Sequence, residues 1–149
     1  MVDNIPIVEI DFFGANLSID IYANNAFEWA KINLVSQKQF FCPCLNADVQ
    51  VSNKGIKHTI YQKKWDQQGN YNQEIISLIS VLPELLNQAE VRYSAPDRYG
   101  SENIKYIKML KASVNINGGI KEVELLIKEV YVNKKEETTC HIFYNHIFV

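Results

Sequence analysis

The tripeptide Asn117-Gly118-Gly119 lies between two stretches of alternating apolar and polar residues, and few arrangements other than a long β-hairpin accommodate that pattern. Side chains alternate across a strand, so Tyr106, Lys108, Leu110, Ala112, Val114 and Ile116 fall on one face, and Val123, Leu125 and Ile127 repeat the pattern after the turn. A second turn over 133–138 leads into a last strand, Cys140 to Phe148, rich in β-branched and aromatic residues. Upstream, Ile75, Leu78, Ile79, Leu82, Leu85 and Leu86 recur every three or four residues, which predicts a helical stripe from about Tyr71 to Ala89. Pro83 removes a donor and crowds the preceding turn. The helix is therefore expected to end near Val81, with a second one carrying Pro83 in its first turn. Helices followed by an antiparallel meander make the fold class α+β, with helices packed on an antiparallel sheet of about four strands.

Other segments are shorter. Alternation over Ile7–Phe12 and Leu17–Tyr22 around Gly14-Ala15-Asn16 predicts an N-terminal hairpin, and Ala23–Ile32 a short helix capped by Asn24 or Asn25. Phe40-Phe41 and Val49-Gln50-Val51 read as apolar pieces parted by Pro43, Asn46 and Asp48; Ser52-Asn53-Lys54-Gly55 reads as a break, and Ser94 to Asn103 as a surface loop. The 149 residues suit one domain. No apolar run approaches a membrane span, and the acidic N-terminal stretch lacks the basic start of a signal peptide, so a soluble domain without an export signal of its own is expected.

The net charge of −2 does not by itself announce a nucleic-acid partner. Charge is unevenly spread, however: residues 1–40 hold five acidic and two basic groups, whereas Lys54, Lys57, Lys63 and Lys64 surround His58 in a run that can attract phosphate or simply face solvent. Cys42-Pro43-Cys44 has one intervening residue, not the two of a redox or zinc motif, and Cys140 lies far away; all three read as structural or incidental thiols. Dinucleotide, P-loop, hydrolase-elbow and zincin signatures are missing. No cofactor or metal is expected.

The three histidines are His58, His141 and His146. Alternation along the last strand puts Cys140, Ile142, Tyr144, His146 and Phe148 on one face. If that face is open, a helix packed across the sheet brings His58 beside His146, with lysines nearby. RNA cleavage by its own 2′-hydroxyl needs a base for that proton, an acid for the 5′-oxygen and fixed positive charge for the transition state. Histidine titrates near the pH of use and serves in either role. Lys57 or Arg92 would supply charge, and Tyr144 or Thr59 would hold a phosphate oxygen or orient an imidazole. Each of these residues also has an ordinary structural reading, as surface charge or core.

The order of a strand, Lys54-Gly55-Ile56-Lys57-His58-Thr59, a polar linker, a helix with Leu82-Pro83-Glu84-Leu85-Leu86-Asn87-Gln88-Ala89, a long hairpin and a closing strand with Tyr144-Asn145-His146 resembles the large polyvalent-protein-associated domains. These occur in phage and mobile-element polyproteins and are related to the barnase-EndoU-colicin-RelE (BECR) group of toxin nucleases. The resemblance covers about Trp29 to Val149, leaving about 1–28 as an N-terminal extension of a single 1–149 domain. It implies a BECR-like fold and a metal-independent endoribonuclease site on the open sheet face. Lys57, His58 and Thr59 match the motif after the first glycine, and Tyr144 and His146 match the closing strand. Arg92 and Lys108, with Lys54, are placed near substrate by approximate position.

The resemblance further implies delivery within a larger secreted or cell-surface protein, as in contact-dependent inhibition, action on RNA such as tRNA in the target-cell cytoplasm, and a cognate immunity protein as partner. Val2-Asp3-Asn4 is similar to the peptide that precedes many such toxin regions. Nucleases of this kind are often basic, which this chain is not. The rival is a non-catalytic interaction domain, a phage polyprotein module or an immunity-like protein, favoured by the acidic balance and by Trp29, Trp65 and the eight tyrosines. An ADP-ribosyltransferase-like domain lacks a nicotinamide-binding signature.

Overall fold

The computed structural model of the chain describes residues 5–14, 16–61, 73–96, 104–133 and 136–148. Val2-Asp3-Asn4, Lys63, Lys64 and Trp65 lie outside the described residues, as do the side chains of Cys140, His141 and Phe148. The first strand, β1 (Ile7–Val8), is two residues long and has no hairpin partner beside it. Leu17–Tyr22, expected as that partner, instead runs into a helix, α1 (Ile19–Asn33). Ser18 explains the correction: its hydroxyl accepts from the Ile21 backbone N–H, and Asp20 stands in the first turn, where the helix dipole favours a carboxylate. Tyr22, Ala23, Ala26 and Ala30 then face the core at helical spacing. Asn25, one of the expected caps, sits inside the helix and donates to the Phe13 carbonyl at 2.8 Å.

A tight hairpin follows, β2 (Gln39–Cys42) and β3 (Ala47–Gln50), turned by a 3-10 segment at Pro43–Leu45 and by Asn46 at φ 49°. The expected break at 52–55 is the start of α2 (Asn53–Ile60), where the Ser52 hydroxyl accepts from the Gly55 N–H at 3.5 Å. The long apolar stripe behaves as expected: α3 (Gln73–Ser77) tightens into a 3-10 turn at Leu78–Val81, and α4 (Leu82–Gln88) begins with Pro83 in its first turn. Ser94, Ala95 and Pro96, expected in a surface loop, instead end a strand, β4 (Glu90–Pro96), and the rest of that stretch, 97–103, lies outside the described residues. Then come β5 (Ile104–Ile116), β6 (Gly119–Asn133) and β7 (Glu136–Phe148), with Asn117 and Gly118 at φ 51° and 91° in the turn that the sequence required.

The fold class is α+β, but among the described residues the sheet has seven strands instead of about four. Its order is β1-β5-β6-β7-β3-β2, with β4 beside β1 on the same edge of β5. β1 and β3 run parallel to their neighbours β5 and β7. Between β4, which reaches Lys111, and β1, which starts opposite Asn115, no strand covers Ser113 on this edge of β5. The Gln88 side chain fills this gap, donating to the Ser113 carbonyl at 2.6 Å and accepting from its N–H at 3.4 Å. A primary amide has one face that mimics a peptide group, so both backbone groups stay paired.

The helix-side core joins Leu78, Ile79, Leu82, Leu85 and Leu86 to Leu110, Ala112, Val114, Val123, Leu125 and Ile127. The opposite face carries ion pairs, Arg92 with Glu124 at 3.2 Å and Lys111 with Glu90 at 3.7 Å. Among the described residues no helix is long and apolar enough to cross a membrane.

β3 stands beside β7 with Gln50 opposite Phe143; the chain then leaves the sheet and α2 takes its place along the following residues of β7. Backbone meets backbone there. A Cβ on Gly55 would lie 2.4 Å from the Tyr144 carbonyl oxygen and 3.0 Å from its Cδ2. Alanine is the better helix former by about 1 kcal/mol, so Gly55→Ala would stabilise an isolated α2, yet here it forces the helix off the strand. Urea denaturation should show Gly55→Ala destabilised by about 1–3 kcal/mol, the range for overpacking; a gain in stability would contradict the contact.

Candidate functional site

Helix α2 divides cleanly. Gly55, Ile56, Thr59 and Ile60 are buried, while Lys54, Lys57, His58 and Tyr61, spaced i, i+3, i+4 and i+7, are exposed, with Tyr61 just beyond the helix end. His58 therefore stands in the middle of a basic, aromatic-edged stripe. Lys57 reaches toward α1, with its Nζ 5.7 Å from the centre of the Phe27 ring.

On β7 a register shift breaks the expected alternation. Tyr144 pairs with Ile127 and His146 with Leu126, neighbouring residues of β6 that point to opposite faces. The expectation that Tyr144 and His146 share an open face is thus corrected: Tyr144 lies on the core side with Ile127 and Ile147 and is buried. Its phenol is hydrogen-bonded to the Thr59 hydroxyl, which also donates to the Gly55 carbonyl at 3.1 Å, leaving Tyr144 as donor to Thr59. Burial pushes the Tyr144 phenol well above its ordinary range, with the Thr59 contact opposing in part. Tyr144 and Thr59 pin α2 to β7 and are not open to a phosphate.

The two histidines do come together. His146 is 6% exposed, and its pKa is lowered to about 4, first by burial and then by the charge of His58, against a backbone hydrogen bond to His58 that favours the protonated ring. An exposed imidazole thus sits beside a buried one that stays neutral at pH 7.

The other expected residues are elsewhere. Arg92, in the bulge between Val91 and Tyr93 on β4, is paired with Glu124 and Glu122, and both β5 and β6 stand between β4 and β7. Lys108 on β5 is half-buried and paired with Glu129 at 3.7 Å. Cys42 and Cys44 are unbridged thiols 3.5 Å apart; burial and the neighbouring sulfur push Cys44 up to about 12. Among the described residues no group of three or more His, Cys, Asp or Glu is placed to hold a metal. A broad polar cleft lined by Glu84, Gln88, Lys111, Ser113 and Glu122 contains neither His58 nor His146. Gly55, Phe27 and Lys31 were missed from sequence. The four-residue spacing of Phe27 and Lys31 and the stripe on α2 were the signals that carried them.

Because the folded ring of His146 holds its proton less tightly than an unfolded one at 6.5, the unfolded chain binds more protons and folding weakens as pH falls from about 6.5 toward about 4. Urea denaturation of wild type across this window should lose up to about 1.4 kcal/mol per pH unit more than His146→Gln does. Parallel curves for the two proteins would contradict the buried, neutral ring.

Comparison with known proteins gives a family. The large polyvalent protein-associated domain 3 model matches residues 18–144, taking in α1 from its Ser18 cap and reaching Tyr144. No curated protein and no solved structure matches the chain. With α2, the hairpin and Tyr144 inside that span and His146 two residues beyond it, the chain belongs to the large polyvalent protein-associated domain 3 family.

Proposed function

We propose that this domain is a toxin-type, metal-independent endoribonuclease whose acid and base are His58 and His146. The juxtaposition of an exposed and a buried imidazole beneath a basic stripe carries the assignment. His146 is neutral at pH 7 and able to accept a proton. It takes the proton of the 2′-hydroxyl as that oxygen attacks phosphorus. The new bond is 2′-O–P, and the P–O5′ bond breaks while His58, as general acid, delivers a proton to the departing 5′-oxygen. The products are a 2′,3′-cyclic phosphate and a 5′-hydroxyl.

Lys57 and Lys54, on the same helical face as His58, stabilise the charge that builds on the non-bridging oxygens. Thr59 and Tyr144 act as positioning residues by holding α2, and hence His58, against β7. Arg92 and Lys108 have no role in this scheme because carboxylates already balance them. Resemblance to the BECR toxins extends the proposal to tRNA as substrate, a cognate immunity protein as partner, and delivery to the target-cell cytoplasm within a larger, phage-associated or cell-surface protein.

Purified protein incubated with total tRNA in excess EDTA should yield discrete fragments ending in 2′,3′-cyclic phosphate. His58→Ala and His146→Gln should each lower the rate by roughly 10²-fold or more while remaining folded. Intact RNA from folded wild type would overturn the ribonuclease and leave the interaction module.

A further inference from the structure

Two helices bring cations to one ring. Lys31 of α1 places its Nζ 5.3 Å from the centre of Phe27, Lys57 of α2 places its own 5.7 Å from the same centre, and the Tyr61 ring lies 6.3 Å from Phe27. Lys54 extends the row along α2, a helix with no acidic residue. Glu28, paired with Lys31 at 3.2 Å, is the carboxylate at this end of α1, since Asp20 stands at the other end. Among the described residues of these helix faces, three ammonium groups against one carboxylate make a local positive surface on a chain whose net charge is −2. Exposed pairs such as Lys31–Glu28 contribute little to stability, so folding alone does not account for gathering like charges here.

From this placement we infer that Lys31, Lys57 and Lys54, with Phe27 and Tyr61, form a rail that binds the phosphodiester backbone of a single RNA strand next to His58. The inference deepens the ribonuclease proposal and rests on it for the identity of the strand. Alternating cation and aromatic surface suits a single strand: ammonium groups neutralise phosphates, and the exposed Tyr61 ring offers a base a stacking surface that does not depend on sequence. The rail lies along the α1–α2 surface, so substrate would approach His58 from the helix side and not across the ion pairs of the open sheet face.

The test uses the full chain and a fluorescent 2′-O-methyl RNA oligonucleotide, which binds but lacks the attacking hydroxyl. Anisotropy titrations over a series of salt concentrations should show affinity falling with salt. Lys31→Gln and Lys57→Gln should each weaken binding about three- to tenfold and flatten the log–log slope by roughly 0.7, one phosphate contact each. Lys31→Arg should restore both. On a cleavable strand, Lys31→Gln should raise KM and leave kcat unchanged. Lysine-dependent binding without any cleavage of the natural strand would keep the rail and overturn the ribonuclease. Cleavage with unchanged affinity and slope in both variants would overturn the rail and keep the ribonuclease. Equally tight binding of a poly-glutamate peptide of matched charge would overturn RNA as the occupant.

Discussion

Gly55 has no side chain, and the carbonyl of Tyr144 occupies the space where one would be. That close approach lets α2 continue the sheet edge where β3 ends, and the rest of the candidate site depends on it. Once the helix lies along β7, Thr59 meets Tyr144 and His58 meets His146, so one backbone contact sets both pairs. The Thr59–Tyr144 pair is buried and hydrogen-bonded, which fixes the register of helix against strand. A buried polar pair left without its partner would cost about 1–3 kcal/mol, so other registers are disfavoured.

The same packing separates the roles of the charged residues. Lysines on the outer face of α2 have no carboxylate on their own helix, whereas Arg92 and Lys108 on the sheet are matched by Glu124 and Glu129. Positive charge is thereby gathered on the outer face of α2, beside His58. In a chain of slight overall acidity, local concentration of this kind is the physical route by which an anionic strand can be held. His146, withdrawn from water, keeps its neutral form where an exposed imidazole would be partly charged.

Several elements were legible because their signal is local. Asn117-Gly118 requires positive φ, and the alternation on either side fixes the faces of β5 and β6. The stripe from Ile75 to Leu86 and the position of Pro83 likewise state their own structure. What stayed hidden is tertiary. Gly55 reads as a helix breaker until the carbonyl of Tyr144 is placed against it. The shift that separates Tyr144 from His146 leaves alternation in the sequence intact and becomes visible only against Leu126 and Ile127. The acidic partners of Arg92 and Lys108 lie on neighbouring strands, so their neutralisation follows from register and not from spacing. β1, β2 and β3 were obscure for a simpler reason: two to four residues are too few for a periodic signal. The pairing of His58 with His146 was legible in outline, since a helix crossing near the last strand was enough to suggest it.

The most direct test of this account is the titration of the His146 ring by NMR, in wild type and in His58→Ala. The wild-type ring should titrate at about 4. Removing the repulsion of His58 should raise that midpoint while burial still keeps it below 6.5. A wild-type ring titrating near 6.5 and indifferent to the loss of His58 would contradict the coupled pair on which the site is built.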